Sequence, residues 1–194
     1  MPRAFVFDAY GTLFDVHAAI GAHRAAAGPD ADRFSEVWRG KQLEYTWTLT
    51  LAGRYVDFWT LTERALDFAF PDARAALRDL KARGETTAIL SNGTPKMLAA
   101  AVAAAKLGAD LDAVLSVDAI GIYKPRPEVY ALATERFKLE PGNVVFVSSN
   151  RWDAMGAAAF GFRTAWVNRA RMPDEYGQVP DMTLTDLNGL TSSA

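Results

Sequence analysis

Five short apolar runs, each followed by a polar residue, are the feature of this sequence that most restricts its fold. None of them alternates cleanly between apolar and polar residues, and this pattern is typical of strands covered on both faces in a parallel sheet. The predicted strands are Ala4 to Phe7, Thr87 to Leu90, Ala113 to Val117, Val144 to Val147 and Thr164 to Val167.

Helical patterns lie between these runs. One of them opens with an N-cap at Thr94 followed by Pro95, and another is closed by Gly161. The predicted helices run from Pro95 to about Leu107, from Pro127 to about Phe137 and from Asp153 to Phe160, and Pro71 with Asp72 begins a further one. Strands that alternate with helices predict a doubly wound, Rossmann-like α/β fold, in which ligands bind outside the carboxyl ends of the strands.

Residues 16–70 differ from the rest because they carry helical periodicity and no convincing strand. Two stripes at helical spacing lie on opposite faces there: Phe34, Val37, Trp38, Tyr45 and Leu49 on one, and Arg39, Leu43 and Trp47 on the other. This pattern fits either a buried helix whose Arg39 reaches water or a cap helix with one face towards a site. We interpret residues 16–70 as a helical cap domain, inserted into an α/β core domain of residues 1–15 and 71–194.

Composition excludes several classes of function. The formal net charge is -2 with no run of like charge, which argues against nucleic acid or an anionic membrane surface as partner. The sequence contains no cysteine, and the six-residue separation of His17 and His23 suits no shared face, so we expect no metal site. No apolar stretch is long enough to span a bilayer, and the first residues are typical of a core strand rather than a signal peptide. We therefore expect a soluble, cytoplasmic protein.

Asp8 follows directly on the first predicted strand and precedes Ala9-Tyr10-Gly11-Thr12. Gly11 permits a sharp turn, and Thr12 can form a hydrogen bond back towards the acid. An Asp at the carboxyl end of a central parallel strand is a candidate nucleophile. The same residue could instead be an ordinary helix-capping acid, and five residues alone do not decide between the two.

Four ordered segments resemble the motifs of the haloacid dehalogenase superfamily. In chain order they are Phe7 to Asp15, Ser91 to Gly93, Lys124 with Pro125, and Ser148 to Asp153. Within that superfamily the chain is most similar to the L-2-haloacid dehalogenases. Further similarity to that branch comes from Trp38-Arg39, Gln42 to Tyr45, Ser116 to Ala119 and Phe160 to Asn168.

The resemblance implies a role for each matching residue. Asp8 would attack the halogen-bearing carbon and form an ester, Lys124 would position Asp8, and Asp153 would activate the hydrolytic water. The remaining implied catalytic residues are Thr12, Arg39, Ser148 and Asn150. The implied substrate-binding residues are Ala9, Tyr10, Leu43, Phe58, Ser91, Asn92, Tyr130 and Trp152. Of these, Arg39, Asn92 and Trp152 would receive the halide, whereas Tyr130 fits either a bond within the site or simple helix packing.

A chemical argument favours this branch over the phosphatases of the same superfamily. The phosphatases place a second Asp two residues after the nucleophile, where this chain has Tyr10, and their fourth motif supplies carboxylates to magnesium, where this chain has Ser148, Ser149 and Asn150. A halide leaves as a stable anion without protonation. We therefore predict cofactor-free, metal-independent hydrolysis of short L-2-haloacids. The alternatives are a magnesium-dependent phosphatase and a weakly active or non-catalytic interaction protein.

The chain departs from this branch in its cap. Gly40 stands where relatives usually carry Gln, and Ala69-Phe70-Pro71 joins the cap almost directly to the core, where relatives place one or two further helices. A shortened cap is expected to leave apolar surface around Trp47, Tyr55, Phe58 and Trp59. The cap could repack, a second chain could cover this surface, or the site could stay open. Because relatives are often homodimers that meet through cap helices, we expect a homodimer whose second chain covers part of that surface.

Overall fold

The computed structural model describes residues 3–14 and 71–192, which form a six-stranded parallel sheet with helices on both faces. The strands are β1 (Ala4–Phe7), β2 (Thr86–Ser91), β3 (Ala113–Ser116), β4 (Val144–Ser148), β5 (Arg163–Val167) and β6 (Met182–Leu184). The α-helices are α1 (Pro71–Ala82), α2 (Pro95–Ala104), α3 (Pro127–Phe137), α4 (Arg151–Phe160) and α5 (Gly189–Ser192). The predicted doubly wound α/β fold is confirmed.

The strand order β3-β2-β1-β4-β5-β6 places β1 between β2 and β4. Phe7, the last residue of β1, is level with Ile89 of β2 and Val147 of β4. Because all the strands are parallel, the residues that follow β1 and end β2 and β4 meet at one edge of the sheet. Asp8, Ser91 and Ser148 therefore come together although they are far apart in the sequence.

Two apolar clusters cover the two faces of the sheet, because successive side chains of a strand point in opposite directions. Phe5 and Phe7 of β1 pack in the cluster that contains buried residues of α1 and α2, whereas Val6 packs in the cluster that contains α3 and α4. All three residues are almost completely buried. This two-sided burial explains why the sequence of β1 shows no alternation of apolar and polar residues.

The five predicted strands are all present, with small shifts at their ends, and β6 was not predicted. Helix α2 ends at Ala104, before the predicted Leu107, because Lys106 adopts a left-handed backbone with φ of 55° and Gly108–Asp110 forms a 3-10 turn. Helix α4 begins at Arg151, two residues before the predicted Asp153. Gly161 ends α4 in the left-handed conformation, as its sequence predicts.

The predicted cap, with both histidines, lies outside the described residues. Within residues 3–14 and 71–192, no helix combines the length and apolar character needed to cross a bilayer.

Candidate active site

Asp8 lies at the centre of a polar cluster at the carboxyl edge of the sheet. Its backbone N–H donates to the carbonyl of Val147 at 2.8 Å, which continues the pairing of β1 with β4. Its Oδ1 lies 3.2 Å from Lys124 Nζ, and its Oδ2 accepts hydrogen bonds from Asn150 Nδ2 at 2.8 Å and Thr12 Oγ1 at 3.3 Å. Three donors from three segments thus fix a carboxylate that is only 7% exposed.

Lys124 bridges Asp8 to a second carboxylate. Its Nζ lies 3.2 Å from Asp8 Oδ1 and 2.9 Å from Asp153 Oδ2, and the whole residue is 1% exposed. Burial alone would lower the pKa of Lys124, but the charges of Asp153 and Asp8 outweigh burial and raise the pKa above its ordinary value. The lysine is therefore a permanent cation shared by two carboxylates.

Asp153 is completely buried near the start of α4. Its Oδ2 accepts from Lys124 Nζ and from Ser148 Oγ at 3.2 Å, and its Oδ1 accepts from Tyr130 Oη at 2.8 Å. Burial and the nearby charge of Asp8 raise the pKa of Asp153 to about 6, against the lowering effect of Lys124 and Tyr130. A carboxyl with this pKa exchanges protons near neutral pH, which suits a general base.

Tyr130 both forms a hydrogen bond within the site and packs between helix and sheet, the two roles that the sequence left open. Its hydroxyl lies 2.8 Å from Asp153 Oδ1, while its ring packs in an aromatic cluster with Phe146, Phe160 and Phe162 at centroid distances of 5.5 to 6.0 Å. Burial and the neighbouring carboxylate of Asp153 raise the pKa of the phenol far above its ordinary value. Tyr130 therefore stays protonated and donates to Asp153.

Thr12 connects the first and fourth motifs. Its Oγ1 accepts from the backbone N–H of Ser149 at 2.7 Å and lies 3.2 Å from Ser149 Oγ as well as 3.3 Å from Asp8 Oδ2. Gly11 has a φ of 86°, and a Cβ on it would come within 2.8 Å of Ser149 Oγ. Ser149 was not predicted as a site residue, because its role depends on a contact 137 positions away in the chain.

β2 lies on the other side of β1 from β4, and the end of β2 forms a second wall of the site. Ser91 Oγ accepts from the backbone N–H of Gly93 at 3.1 Å, and Asn92 Oδ1 accepts from the backbone N–H of Lys124 at 3.1 Å. Because the carbonyl end of the Asn92 amide is engaged in this way, its Nδ2 is the end available to donate to an anion. Tyr10 packs over Gly93, where a Cβ would lie 2.9 Å from the Tyr10 ring.

Gly156 is a second residue that sequence reasoning missed. It lies one turn after Asp153 inside α4, and a Cβ there would come within 2.6 Å of both Pro125 Cβ and Tyr130 Oη. A glycine inside a helix costs about 1 kcal/mol relative to alanine. A glycine inside the predicted helix was the signal available in the sequence. In the structure, Gly156 permits Pro125 and Tyr130 of α3 to approach α4.

Ala9 and Trp152 are the remaining predicted site residues within the described part of the chain. Ala9 is buried, and its carbonyl accepts from the N–H groups of Leu13 and Phe14 at 2.9 Å, which closes the turn after Asp8. Trp152 is half-buried in the first turn of α4. Arg39, Leu43 and Phe58 lie outside the described residues, so their predicted roles stay predictions.

The described part of the chain contains no group of three or more histidine, aspartate or glutamate side chains close enough to hold a metal ion. The space between Asp8 and Asp153 is bridged by the Lys124 ammonium, and the fourth motif contributes the neutral side chains of Ser148 and Asn150. Magnesium prefers several charged or carbonyl oxygens in an octahedral shell. The side chains around Asp8 do not fit that requirement.

Fold and site together define an α/β enzyme core with two buried carboxylates bridged by one lysine. A family model described as haloacid dehalogenase-like hydrolase matches residues 2–161, and the chain belongs to this family. It is 48% identical to (S)-2-haloacid dehalogenase 1 of Pseudomonas sp. (strain CBS-3), over 92% of this chain and 89% of that protein. It is also 41% identical to (S)-2-haloacid dehalogenase of Pseudomonas sp. (strain YL), over 97% of this chain and 92% of that protein.

Solved structures agree with the sequence comparison. The structure of L-2-haloacid dehalogenase from Xanthobacter autotrophicus with chloropropionic acid covalently bound is similar to this chain with a TM-score of 0.88 and 37% identity. The match covers 99% of this chain and 98% of that one.

Proposed function

We propose that this protein hydrolyses the carbon–halogen bond of short L-2-haloalkanoic acids and yields 2-hydroxy acids through an ester on Asp8. The observation that carries the proposal is the position of Asp8, a buried carboxylate held by Lys124, Thr12 and Asn150 at the end of the central strand. The names of the similar proteins and the covalent adduct in one of them support the same reaction.

In the first half of the reaction, an oxygen of Asp8 forms a bond to C2 of the substrate. The halogen leaves from the opposite side as halide, and it takes the electrons of its bond to carbon. Attack from the back inverts the configuration at C2. The three donors around Asp8 hold the carboxylate in one orientation, and such alignment is a large part of the advantage of an enzyme over free solution.

In the second half, water attacks the carbonyl carbon of the Asp8 ester and transfers a proton towards Asp153. The leaving alkoxide takes this proton from Asp153 and departs as the 2-hydroxy acid, and the Asp8 carboxyl loses a proton to solvent and is regenerated as a carboxylate. Esterification removes the charge of Asp8, which is one of the causes that raise the pKa of Asp153. The pKa of Asp153 therefore falls when the ester forms, and the base is ionised when water must be activated.

Substrate recognition is proposed at the side of the site formed by the end of β2 and the turn after Asp8. Ser91, Asn92 and the backbone N–H groups after Asp8 would bind the substrate carboxylate, since each is a donor to an anion. Arg39, with Asn92 and Trp152, would receive the halide, and Tyr10, Leu43 and Phe58 would line the apolar wall.

We further propose that residues 16–70 form a cap that is shorter than in relatives. The alignment with the strain YL dehalogenase spans 214 positions, whereas this chain has 194 residues, so at least 20 residues of that relative have no counterpart here. We propose that the protein is a homodimer in which the second chain covers the shortened cap, and that it is located in the cytoplasm. Light scattering at micromolar concentration tests the dimer, and a monomer with full activity would contradict it.

The magnesium-dependent phosphatase is the weaker alternative, because the fourth motif offers the neutral side chains of Ser148, Ser149 and Asn150 where magnesium would need charged oxygens. The proposal is tested by halide and phosphate release from purified protein, each assayed with and without a chelator. We expect halide release from L-2-chloropropionate that the chelator leaves unchanged, and no release of phosphate from phosphate monoesters. Phosphate release that requires magnesium, or loss of halide release on chelation, would contradict the proposal.

A further inference from the structure

We propose that Arg151 is a positioning residue that fastens the loop between β5 and β6 to the start of α4 and thereby holds Ser149 and Asn150 against Asp8. The effect on turnover rests on the proposed function, whereas the structural tie itself does not. Arg151 touches none of the reacting groups, so its influence would pass through its neighbours.

The Arg151 side chain extends from the start of α4 to the loop between β5 and β6. Its Nε and Nη2 donate to the two carboxylate oxygens of Asp174 at 2.8 and 3.2 Å, and Nη2 also donates to the carbonyl of Gln178. Asp174 and Gln178 both belong to the loop between β5 and β6. The Arg151 side chain is only 10% exposed and that of Asp174 is 32% exposed, so this planar, two-point pairing is shielded from water on the arginine side.

Two aromatic rings add to this contact. The guanidinium carbon of Arg151 lies 5.4 Å from the ring centroid of Trp166 and 5.7 Å from that of Tyr176. Such cation–π distances are stabilising when the cation is desolvated. Arg151 thus joins β5, which carries Trp166, to the loop that carries Tyr176.

Trp166 connects Arg151 to the site through Ser149. Trp166 Nε1 donates to the carbonyl of Ser149 at 3.2 Å, and the N–H of Ser149 donates to Thr12 Oγ1 at 2.7 Å. The next residue, Asn150, donates to Asp8 Oδ2 at 2.8 Å. The segment Ser149–Asn150 is therefore held on one side by Asp8 and Thr12, and on the other by Trp166 against Arg151.

A third observation concerns local electrostatics. Arg151 is the first residue of α4, where the helix dipole disfavours a positive charge. Local preference therefore does not explain an arginine at this position, but its partner Asp174 does. The pKa of Asp174 lies below its ordinary value, first because of the hydrogen bond from Arg151.

The test compares Arg151→Ala with Arg3→Ala as a matched control. Arg3 also pairs with one carboxylate through two nitrogens, at 3.0 and 3.2 Å from Glu85 Oε1, but it lies just before β1 at the opposite edge of the sheet. Hydrogen exchange is measured by mass spectrometry over residues 148–152 and 168–181, and kcat and KM are measured by halide release. The exchange measurement needs no dehalogenase activity.

We expect faster exchange in both segments of Arg151→Ala. We also expect kcat to be lower by about 10- to 100-fold with little change in KM, because misplacing the groups around Asp8 by about 1 Å can reduce the rate that much. Arg3→Ala should change neither. Arg151→Lys should recover only part of kcat, since an ammonium lacks the planar two-point geometry. Asp174→Asn should shift exchange and kcat in the same direction, and the double variant Arg151→Ala with Asp174→Asn should be no worse than Arg151→Ala alone.

Exchange in residues 148–152 that matches the Arg3→Ala control would overturn the proposal, as would wild-type kcat in Arg151→Ala. If Arg151→Ala does not fold, Asp174→Asn decides by the same two measurements, because it keeps the buried arginine and alters only a more exposed partner. A wild-type protein without halide release would contradict the proposed function, but the exchange comparison would still decide whether Arg151 holds the segment.

Discussion

The two carboxylates of the site lie in contrasting surroundings. Asp153 is enclosed by Lys124, Tyr130 and Ser148, and each of these four residues is at most 1% exposed. Asp8 accepts a hydrogen bond from Asn150, and Asn150 is half-buried, as are Asn92 after β2 and Trp152 at the start of α4. We call the first group the sealed half and the second the open half.

This difference indicates which steps of the proposed reaction depend on the core alone and which also depend on residues 16–70. The sealed half is assembled entirely from described residues, and its burial raises the pKa of Asp153 into a useful range. The open half has the fixed nucleophile candidate and anion donors, but its predicted partners Arg39, Leu43 and Phe58 come from residues 16–70. Water activation would thus belong to the core alone, whereas substrate capture would also need the cap.

The largest effect is expected where the two halves meet. Asp8→Asn should lower halide release by at least about 1,000-fold, because an amide is a poor nucleophile for ester formation. The fold should persist, since Lys124 keeps Asp153 as its counter-ion. Halide release and a thermal melt measure the two outcomes.

An isotope experiment with the wild-type protein checks the same residue directly. After one turnover in heavy-oxygen water, mass spectrometry should find the label in the peptide that contains Asp8. Label that enters the hydroxy acid in that first turnover would mean that water attacks the substrate without an ester.

Asp153→Asn tests the sealed half alone. It should release about one halide per chain and then stop, with the ester trapped on Asp8 and steady turnover lower by about 100- to 10,000-fold. Intact-protein mass spectrometry detects the trapped ester. Asp79→Asn, at an exposed position on α1, is the control and should turn over normally. If the first halide were also lost, the separation of the two halves would be wrong.

The open half is tested at Asn92. Asn92→Asp keeps an acceptor for the N–H of Lys124 but replaces the donor amide with a second negative charge near an anionic substrate. We expect KM to rise and ester formation to slow by about 10- to 100-fold, since one charge-assisted hydrogen bond is lost. Single-turnover kinetics should show an unchanged rate of ester hydrolysis. A slower hydrolysis step with normal ester formation would place Asn92 in the other half.

The smallest effect is a shift in pH dependence. When hydrolysis of the ester limits turnover, kcat should fall on the acid side at a pH below 6, because Asp153 must be ionised to accept a proton and loss of the Asp8 charge in the ester lowers its pKa from about 6. Tyr130→Phe removes a hydrogen bond that lowers the pKa of Asp153, so the acid limb should move to higher pH. A kcat profile from pH 4.5 to 8 for both proteins measures the shift. An acid limb that moves to lower pH would contradict this role of Tyr130.

Much of the core was predictable because the signals are local. Each apolar run of the sheet is visible in consecutive residues, and Thr94 with Pro95 marks the start of α2 by chemistry that needs no distant contact. Strand β6 was missed because three residues at the edge of the sheet bury too little apolar surface to leave a pattern. The end of α2 was placed late because the left-handed turn at Lys106 interrupts an otherwise helical composition.

The sequence by itself determined the fold class, the order of the four motifs and the polar residues that end the strands, because these depend on local pattern and on the geometry of parallel sheets. Only the tertiary structure decided that Lys124 lies between Asp8 and Asp153, that Gly156 admits Tyr130, and that Arg151 turns away towards Asp174. These arrangements depend on how separate elements pack and on how much water they exclude. Packing also sets the pKa of Asp153, since desolvation is a property of the folded surroundings and not of the residue.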